Sequence, residues 1–463
     1  MSYNFKTYGV EQLYWMPPSI LDWVDEEGLA RFVYDTIKVL DEAGKLKGLY
    51  EGYAENGVGG EAYHPIMLLS VLLYAYCVGI TSSRKIATAL EGDVNFRFLS
   101  GNQQPDFRTV SDFRNRHIGV FEEVFVALLR LCKEVGLVKV GRVSLDGTKI
   151  EANAALDQNR TKEGIEKEVK KILEEAEKVD KEEDEQYGKE NRGDELPKDL
   201  QSSSLRLEKL KNAHRILSER EAEQKQKQVE KIEVREQEEK TTGKKKRGRK
   251  PKTPEAAVDK EKKVNLTDSD SRIQKTAKGY IQGYNAQIGV DTQSQVIVGQ
   301  DVTEEENDLH QLKPMTEKIE KQAGEKPQEL LADAGYSSDE NLEMGAEKEI
   351  ELFIPDKKDW KRRREDKEKG VPKGRIPKNL SKKERMARKL RTKRGRKIYK
   401  ERGKTVEPVF GQIKNQDGQK FRRFRLRSKR KVKGEWSLVC TGHNMLKLFR
   451  SGLLKIKQET TAA

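Results

Sequence analysis

The stretch V-S-L-D-G-T-K-I-E-A-N-A-A, Val143 to Ala155, decides the fold prediction for this chain. Its first residues continue the alternation of V-K-V-G-R-V-S-L-D, which predicts a short buried β-strand. The strand is predicted to end on a carboxylate, Asp146, and Gly147 follows at once. The chain around it has 463 residues, a formal net charge of +14 and a sequence pI of about 9.3. An acid at the end of a buried strand in so basic a chain therefore needs a physical reason.

The composition limits the class of protein. Hydrophobic residues make up 34% of the chain and charged residues 37%, which is polar for a globular protein but too apolar for a wholly disordered one. The length allows about two to four domains. The clustered positive charge favours a polyanionic partner, and nucleic acid is the first candidate because neutralised phosphates release counterions. Solvent-exposed lysines without a partner are the alternative.

Cysteine usage and hydropathy exclude several other classes. The three cysteines, Cys77, Cys132 and Cys440, form no CxxC pair, so neither a zinc ribbon nor a disulfide framework is supported. The N-terminus lacks the layout of a signal peptide, and the most apolar run, residues 65–80, is too short to span a bilayer. These features predict a cytoplasmic protein with no membrane partner.

Residues 1–137 are predicted to form a helical region. Apolar residues recur there at helical spacing: Ile66, Leu69, Leu72, Leu73 and Tyr76. Further along, residues 107–117 place three arginines away from the apolar face of a helix: Arg108, Arg114 and Arg116. Short helices with an arginine-bearing helix after a Gly/Pro turn favour a helix-turn-helix-like DNA reader. A plain helical bundle with a solvated arginine face is the alternative.

Residues 156–263 interrupt the strand pattern with a charged helical insertion. Two narrow apolar stripes predict two long helices that fold back on each other in coiled-coil-like packing. The second helix runs into a basic loop, residues 244–252. There R-G-R-K-P, with Arg247 and Arg249, resembles an AT-hook that inserts into a narrow A·T-rich minor groove. An unstructured basic linker is the alternative.

Strand periodicity returns from residue 264, so residues 138–155 and 264–450 are predicted to form one split domain, followed by a flexible tail at 451–463. Gly279–Asp291 and Ser294–Val302 predict an antiparallel hairpin. Near the end, residues 421–431 interleave aromatic residues with basic ones, a pattern that favours DNA contact. The arginines concerned are Arg422, Arg423 and Arg425.

Two acids occupy comparable places in the split domain. Asp146 and Asp333 each end an apolar strand and each precede a small residue. Sites in open α/β sheets form outside strand ends, and two carboxylates that meet there repel each other unless a cation neutralises them. Mg²⁺ prefers oxygen ligands and is commonly held by one or two carboxylates together with substrate phosphates. The pattern therefore predicts a magnesium site.

A third acid is expected from a helix, and Glu407 is the best candidate. The helix is predicted to begin near Glu407, because Pro408 is tolerated in a first turn. Lys414 then lies two turns further on the same face, where it would reach a DNA phosphate. Competing acids are Asp339, Glu401 and Glu435; three more either support the site from outside its ligands or are simply exposed: Glu151, Asp291 and Asp308.

These residues resemble the bacterial insertion-sequence transposases of the DDE class. The resemblance rests on L-D-G-T-K-I-E-A-N-A at 145–154, A-D-A-G-Y at 332–336 and V-E-P-V-F-G-Q-I-K at 406–414. The Y-x₂-R-x₃-E-x₆-K signature of the class corresponds to Tyr399, Arg402, Glu407 and Lys414. Four residues, rather than three, separate Arg402 from Glu407.

The resemblance implies an α/β RNase H-like (retroviral-integrase-like) core with an all-α N-terminal DNA-binding region. It implies that Asp146, Asp333 and Glu407 hold two Mg²⁺ ions, which Mn²⁺ can replace. The implied activity is binding of terminal inverted repeats in double-stranded DNA, cleavage at the ends and transfer of the 3′-OH to target DNA. A nucleoid-associated homodimer in the synaptic complex is expected. Two alternatives stay open: a nuclease without strand transfer, and an inactive DNA-binding relative.

Overall fold

The computed structural model describes residues 19–53, 61–187, 198–243, 251–257, 262–371, 374–377, 379–415 and 417–454. Within these ranges the α-helices, α1 to α15 in chain order, are Leu29–Glu42, Pro65–Cys77, Ser83–Gly92, Val94–Leu99, Phe107–Arg116, Phe121–Glu134, Lys162–Tyr187, Lys198–Thr242, Pro254–Ala257, Leu312–Ala323, Asp339–Glu347, Asp359–Lys369, Lys382–Leu390, Lys393–Lys414 and Lys429–Ser451. The β-strands, β1 to β8, are Arg142–Glu151, Asn159–Arg160, Val264–Asn265, Arg272–Thr276, Gly279–Asp291, Ile297–Thr303, Glu329–Leu331 and Glu351–Phe353.

A six-stranded mixed sheet combines β1 with five strands from beyond the helical insertion, and β1 lies at its centre. On one side β1 pairs antiparallel with β5, and β5 pairs antiparallel with both β4 and β6. On the other side β1, β7 and β8 run parallel to one another. The predicted hairpin of β5 and β6 is confirmed, and parallel strands joined through helices agree with the predicted α/β class.

The position of Asp146 differs from the prediction. The strand does not end there: β1 continues to Glu151, because Thr148 and Ile150 pair with Ala286 and Tyr284 of β5. It is the parallel partner that ends, since β7 pairs only with residues 142–144 of β1. Asp146 therefore lies just past the end of its parallel neighbour, at an open edge of the sheet.

The N-terminal helices and the sheet share one apolar core. Helix α15 packs against α2 and α6 on one side and against β6 on another. Its Trp436 and Cys440 are fully buried in the same hydrophobic cluster as the interior residues of α2, α6 and β1. The chain beyond the insertion thus completes the interior of the N-terminal helices, while the division at residue 137 stays a prediction.

The helical insertion forms two helices that pack on each other near their shared base. Ile165 of α7 is buried against Leu210, Ala213 and Leu217 of α8, and Val264 closes this small core. The predicted helix pair is therefore present where α7 meets α8. The predicted AT-hook residues, Arg247 and Arg249, lie outside the described residues, as does most of the predicted tail. In the described part of the chain no helix is long and apolar enough to cross a membrane.

The helix that carries Glu407 begins much earlier than predicted. Helix α14 starts at Lys393, so Pro408 lies inside it rather than in its first turn. A proline has no N–H to donate to the carbonyl four residues before it, here that of Lys404. Gln295 supplies the missing donor, since its Nε2 lies 3.0 Å from the Lys404 oxygen. The cost of an internal proline is offset by this contact from the β5–β6 turn.

Arg114 is buried, which argues against its predicted contact with DNA. Its guanidinium donates to the Thr81 carbonyl at 2.9 Å, to Ser83 Oγ at 3.2 Å and to the Tyr76 hydroxyl at 3.3 Å. The Tyr76 hydroxyl in turn donates to Oε1 of Glu435, which is fully buried. Arg114 therefore joins α5 to α2 and α15 in the interior.

We expect Arg114→Met to destabilise the protein by about 3 kcal/mol, because it leaves buried acceptors and the charge of Glu435 without a counter-charge. Urea unfolding would measure this change. Arg108→Met is the matched control, since Arg108 is exposed on the same helix and should change stability by less than about 0.5 kcal/mol. Equal effects of the two substitutions would contradict the structural role of Arg114.

Candidate active site

Two carboxylates meet at the open edge beside β1. Asp146 lies on β1 beyond the end of β7, and Asp333 lies two residues after β7 ends at Leu331. Because β1 and β7 are parallel neighbours, both acids reach the same edge of the sheet. Asp333 also accepts a hydrogen bond from the Gly335 amide at 2.8 Å, which caps the short turn Ala334–Tyr336 and fixes this carboxylate.

The pKa of Asp146 reflects chiefly the burial of its carboxylate. Its side chain is only 17% exposed, and burial raises the pKa of Asp146 to about 7. Arg402, whose Nη2 lies 2.6 Å from Asp146 Oδ2, opposes this effect, whereas the charges of Asp333 and Asp308 add to it. The site thus holds more negative charge than its one arginine balances, which is the condition that a bound cation would relieve.

Asp308, in the loop after β6, is a third acid at this edge. Its Oδ1 accepts hydrogen bonds from Asn285 Nδ2 and Gln287 Nε2, both at 2.7 Å. A Cβ on Gly147 would lie 2.7 Å from the same oxygen, so Asp308 approaches the β1 backbone immediately after Asp146. No spacing rule distinguishes this acid from its exposed neighbours Glu305 and Glu306, because its position depends on long-range contacts with β5.

Glu407 lies apart from this cluster. Its exposed side chain lines a cavity of about 610 Å³ together with Tyr399, Arg402 and Gly403. Arg402 links the two places, since it lines the cavity and pairs with Asp146. Among the described residues no three Asp, Glu, His or Cys side chains converge closely enough to hold a metal ion. The role of Glu407 as a third ligand stays a prediction.

The donor chemistry of the acids fits a hard divalent cation. Asp146 and Asp333 offer carboxylate oxygens at one edge, and Mg²⁺ is commonly held by one or two carboxylates that substrate phosphates complete. The raised pKa of Asp146 shows that its charged form is disfavoured in the metal-free site, and a bound cation would favour that charged form. The carboxylate oxygens present at this edge therefore suit a divalent metal, and the roles of Asp146 and Asp333 as its ligands stay a prediction.

Lys414 lies beside β1 on the same helix as Arg402. Its ammonium group donates to Thr148 Oγ1 and, at 2.9 Å, to the Lys149 carbonyl. Burial lowers the pKa of Lys414 to about 8, and the nearby charge of Arg422 contributes. The signature residues Arg402 and Lys414 thus both contact β1: Arg402 pairs with Asp146 itself, and Lys414 binds two and three residues further along the strand.

The basic segment after α14 forms an exposed arginine row beside the end of β1. Phe421, Phe424 and Leu426 are buried, while the residues between them point outward. Backbone pairing fixes the segment, because the Phe424 amide donates to the Glu151 carbonyl at 2.8 Å. The exposed residues, which we call the arginine row, are Arg422, Arg423, Arg425 and Arg427. The first three are those predicted to contact DNA, and their exposure is compatible with it.

The remaining sequence candidates fall into two groups. Arg108 and Arg116 are exposed on α5, where Arg108 lies over Phe107 and Arg116 over Tyr53. The competing acids have internal partners: Glu401 pairs with Arg142, Glu435 accepts from the Arg425 and Leu426 amides, Asp339 pairs with Lys383, and Asp291 accepts from the Ser294 amide in the β5–β6 turn. These contacts give the competing acids structural roles.

Comparisons with known proteins identify two matching families. The family described as "Transposase DDE domain" matches residues 241–445, and the family described as "Transposase domain (DUF772)" matches residues 20–116. Asp308, Asp333 and Glu407 lie in the first match, and Asp146 lies between the two. A DDE transposase domain implies an RNase H-like fold, in agreement with the mixed sheet. No curated protein and no solved structure matches the chain.

The burial of the Asp146 charge predicts that Asp146→Asn stabilises the metal-free protein. A carboxyl pKa raised from 3.8 to about 7 opposes folding by roughly 4 kcal/mol above pH 7, and the effect disappears as pH falls towards 4. Since Arg402 loses its partner in the variant, we expect a net gain of about 2 kcal/mol at pH 8. Urea unfolding in EDTA at pH 8 and pH 4.5 would measure it.

The control for this experiment is Glu317→Gln, which removes an exposed acid on α10 and should change stability by less than about 0.5 kcal/mol at either pH. A destabilising effect of Asp146→Asn at pH 8, or a gain that does not depend on pH, would contradict an unfavourable burial of the Asp146 charge.

Proposed function

The chain belongs to the insertion-sequence DDE transposase family, and we propose that it cuts DNA at the terminal inverted repeats of its element and joins the freed 3′-OH to target DNA. DNA is its partner and a metal-dependent cleavage of DNA is its reaction class, as the family indicates. The proposal of cleavage and joining rests on one observation: Asp146 and Asp333 lie at the same edge of the sheet, beyond the end of β7. Phosphoryl transfer on DNA needs a cation at such a place.

We propose a separate role for each group of residues in the site. Asp146 and Asp333 are proposed to hold the divalent metal, and Glu407 to complete its ligands when DNA fills the cavity lined by Arg402 and Tyr399. Bound there, Mg²⁺ or Mn²⁺ would activate the attacking oxygen and stabilise the leaving oxygen at phosphorus. Because the metal supplies this chemistry, the protein's own contribution is to bind the DNA and to orient the reacting phosphate.

The basic groups around the carboxylates supply that orientation. Arg402 contacts Asp146 and Lys414 contacts β1 just beyond it, so a phosphate that reaches the metal would meet positive charge from α14. The arginine row extends the positive surface from the end of β1 towards α3, since Arg425 donates to Thr81 before that helix. We propose that one DNA end lies along this path, with exposed Arg108 and Arg116 of α5 contacting it further from the site.

A basic surface and a partly buried acidic edge have complementary roles in this proposal. Basic residues attract the DNA backbone, and the acidic edge attracts the cation that lets the backbone react. A pair of chains is expected to hold the two ends of the element together, as a proposal from the reaction rather than from a contact in the structure.

We expect Asp146→Asn, Asp333→Asn and Glu407→Gln each to lower DNA cleavage at least about 10³-fold while leaving binding of the ends intact, because each removes a ligand charge but no basic contact. The measurement uses oligonucleotides carrying the terminal inverted repeats, with Mg²⁺, and follows nicking and strand transfer separately.

The outcomes separate the candidate roles and activities. Wild-type cleavage by any one of these three variants would remove that residue from the site. Cleavage without joining by the wild-type protein would support a nuclease instead, and binding without cleavage would support an inactive relative.

The arginine row predicts a change in the salt dependence of binding. Arg422→Ala combined with Arg423→Ala should weaken binding to any duplex and lower the slope of log K against log[salt] by about 1 to 2, because up to two phosphate contacts are lost. The control combines Lys313→Ala with Lys321→Ala, which removes the same charge from exposed positions on α10. Equal losses in both double variants would show an effect of net charge alone.

A further inference from the structure

We propose that Asp308 is a positioning residue for the Asp146–Asp333 pair, and that it acts through Gln287 and Tyr336. The inference deepens the proposed function, because it assumes that this pair holds a divalent cation. It gives a role to an acid that touches neither α14 nor the predicted signature, and it accounts for two fully buried amides in the sheet.

A chain of hydrogen bonds runs from Asp308 to the turn that carries Asp333. Asp308 Oδ1 accepts from Gln287 Nε2 at 2.7 Å, and Gln287 Oε1 accepts from the hydroxyl of Tyr336. Tyr336 is fully buried and belongs to the turn Ala334–Tyr336, which Asp333 caps. Both ends of the Gln287 amide are thus occupied, and its orientation is set by the acceptor that Asp308 provides.

Close packing at Gly147 shows how tightly Asp308 is held next to Asp146. A Cβ at position 147 would lie 2.1 Å from Gln287 Nε2, 2.7 Å from Asp308 Oδ1 and 2.8 Å from Asn285 Oδ1. Only glycine leaves room for these three groups against the β1 backbone. They lie against the β1 backbone at Gly147, the residue after Asp146: Gln287 and Asn285 belong to β5, which pairs with β1, and Asp308 belongs to the loop after β6.

Asn285 adds an independent sign that this place is built for a polar ligand. Its Nδ2 donates to Asp308 Oδ1 at 2.7 Å and to the Glu305 carbonyl at 3.2 Å, whereas its Oδ1 is buried with no hydrogen-bond partner among the described residues. A buried oxygen without a donor is costly unless function requires it. Here it lies against Gly147, the residue that follows Asp146.

The consequence for the site is that Asp308 fixes the distance between its two ligands. Asp146 is fixed by the pairing of β1 with β5, and Asp333 is fixed to β5 through Tyr336 and Gln287. Without the acceptor at Asp308, the Gln287 amide can rotate and the turn bearing Asp333 loses its tie to the sheet. Residues that orient metal ligands in this way typically contribute about 10- to 100-fold to metal affinity.

The test measures Mn²⁺ binding by the full-length protein without DNA, using electron paramagnetic resonance of free Mn²⁺ at pH 7.5. Asp308→Ala and Gln287→Met should each weaken the tightest Mn²⁺ site about tenfold or more, and the double variant should lose little beyond either single one, since both break the same chain. Asp308→Asn should lose less than Asp308→Ala, because it keeps an oxygen for the two amides.

Two matched controls separate this role from general damage to the fold. Gln300→Met removes an equally buried amide from neighbouring β6, where Gln300 donates to Ser437, and should leave Mn²⁺ affinity unchanged. Glu306→Gln removes an exposed acid from the same loop as Asp308 and should also leave it unchanged. Melting temperatures of all variants show which are folded, and Asp308→Ser replaces Asp308→Ala if the latter does not fold.

Each result decides the proposal. Wild-type Mn²⁺ affinity in Asp308→Ala or Gln287→Met overturns it and leaves the proposed function standing. Equal losses in Asp308→Asn and Asp308→Ala, with none in Gln287→Met, show a pure charge effect and overturn it as well. If the wild-type protein does not bind Mn²⁺ at Asp146 and Asp333, the proposed metal-dependent function is wrong. The proposed role of Asp308 is then wrong as well.

Discussion

The rest of the structure depends on one constraint, which is that Asp146 and Asp333 must be held together at one partly buried edge of the sheet. Two carboxylates come together only if the backbone that carries them cannot move apart, and the parallel pairing of β1 with the short strand β7 provides this rigidity. A hairpin supplies β5 on the other side of β1, and helix α14 brings Arg402 as a partial counter-charge. The fold therefore holds an unfavourable carboxylate charge at one edge of the sheet, where a bound cation would stabilise it.

The apolar core offsets the cost of keeping these carboxylates together. The strands that carry the acids are buried between helices, and α15 joins the sheet to the N-terminal helices through a single apolar interior. Buried polar groups in that interior are largely paired, as in the chain from Arg114 through Tyr76 to Glu435. The stability that this interior provides is what keeps the acidic edge in place, because local strain persists only when the surroundings fix it.

Local patterns in the sequence predicted the strands, the hairpin and the helix pair of the insertion, because each depends on periodicity within a few residues. They did not predict where β1 ends, since that depends on its pairing with β5, nor where α14 begins. Pro408 seemed to require a helix start because its missing hydrogen bond is local, but the donor that replaces it comes from Gln295, over a hundred residues away. Arg114 was misjudged for the same reason, and the sequence left the role of Asp308 open: the partners of both lie on other elements, and a single sequence does not give those contacts.

The order of the elements along the chain has a consequence for synthesis. β1 leaves the ribosome long before β5 and β7, its neighbours on either side, because the insertion separates them. Helix α15, which covers the apolar faces of α2 and α6, is made last. A product that ends before β7 therefore lacks Asp333, and one that ends before α15 leaves the apolar faces of α2 and α6 uncovered. Exposed apolar surface of this kind promotes aggregation and degradation. The acidic edge and a covered N-terminal interior are thus present together only after α15 has been synthesised.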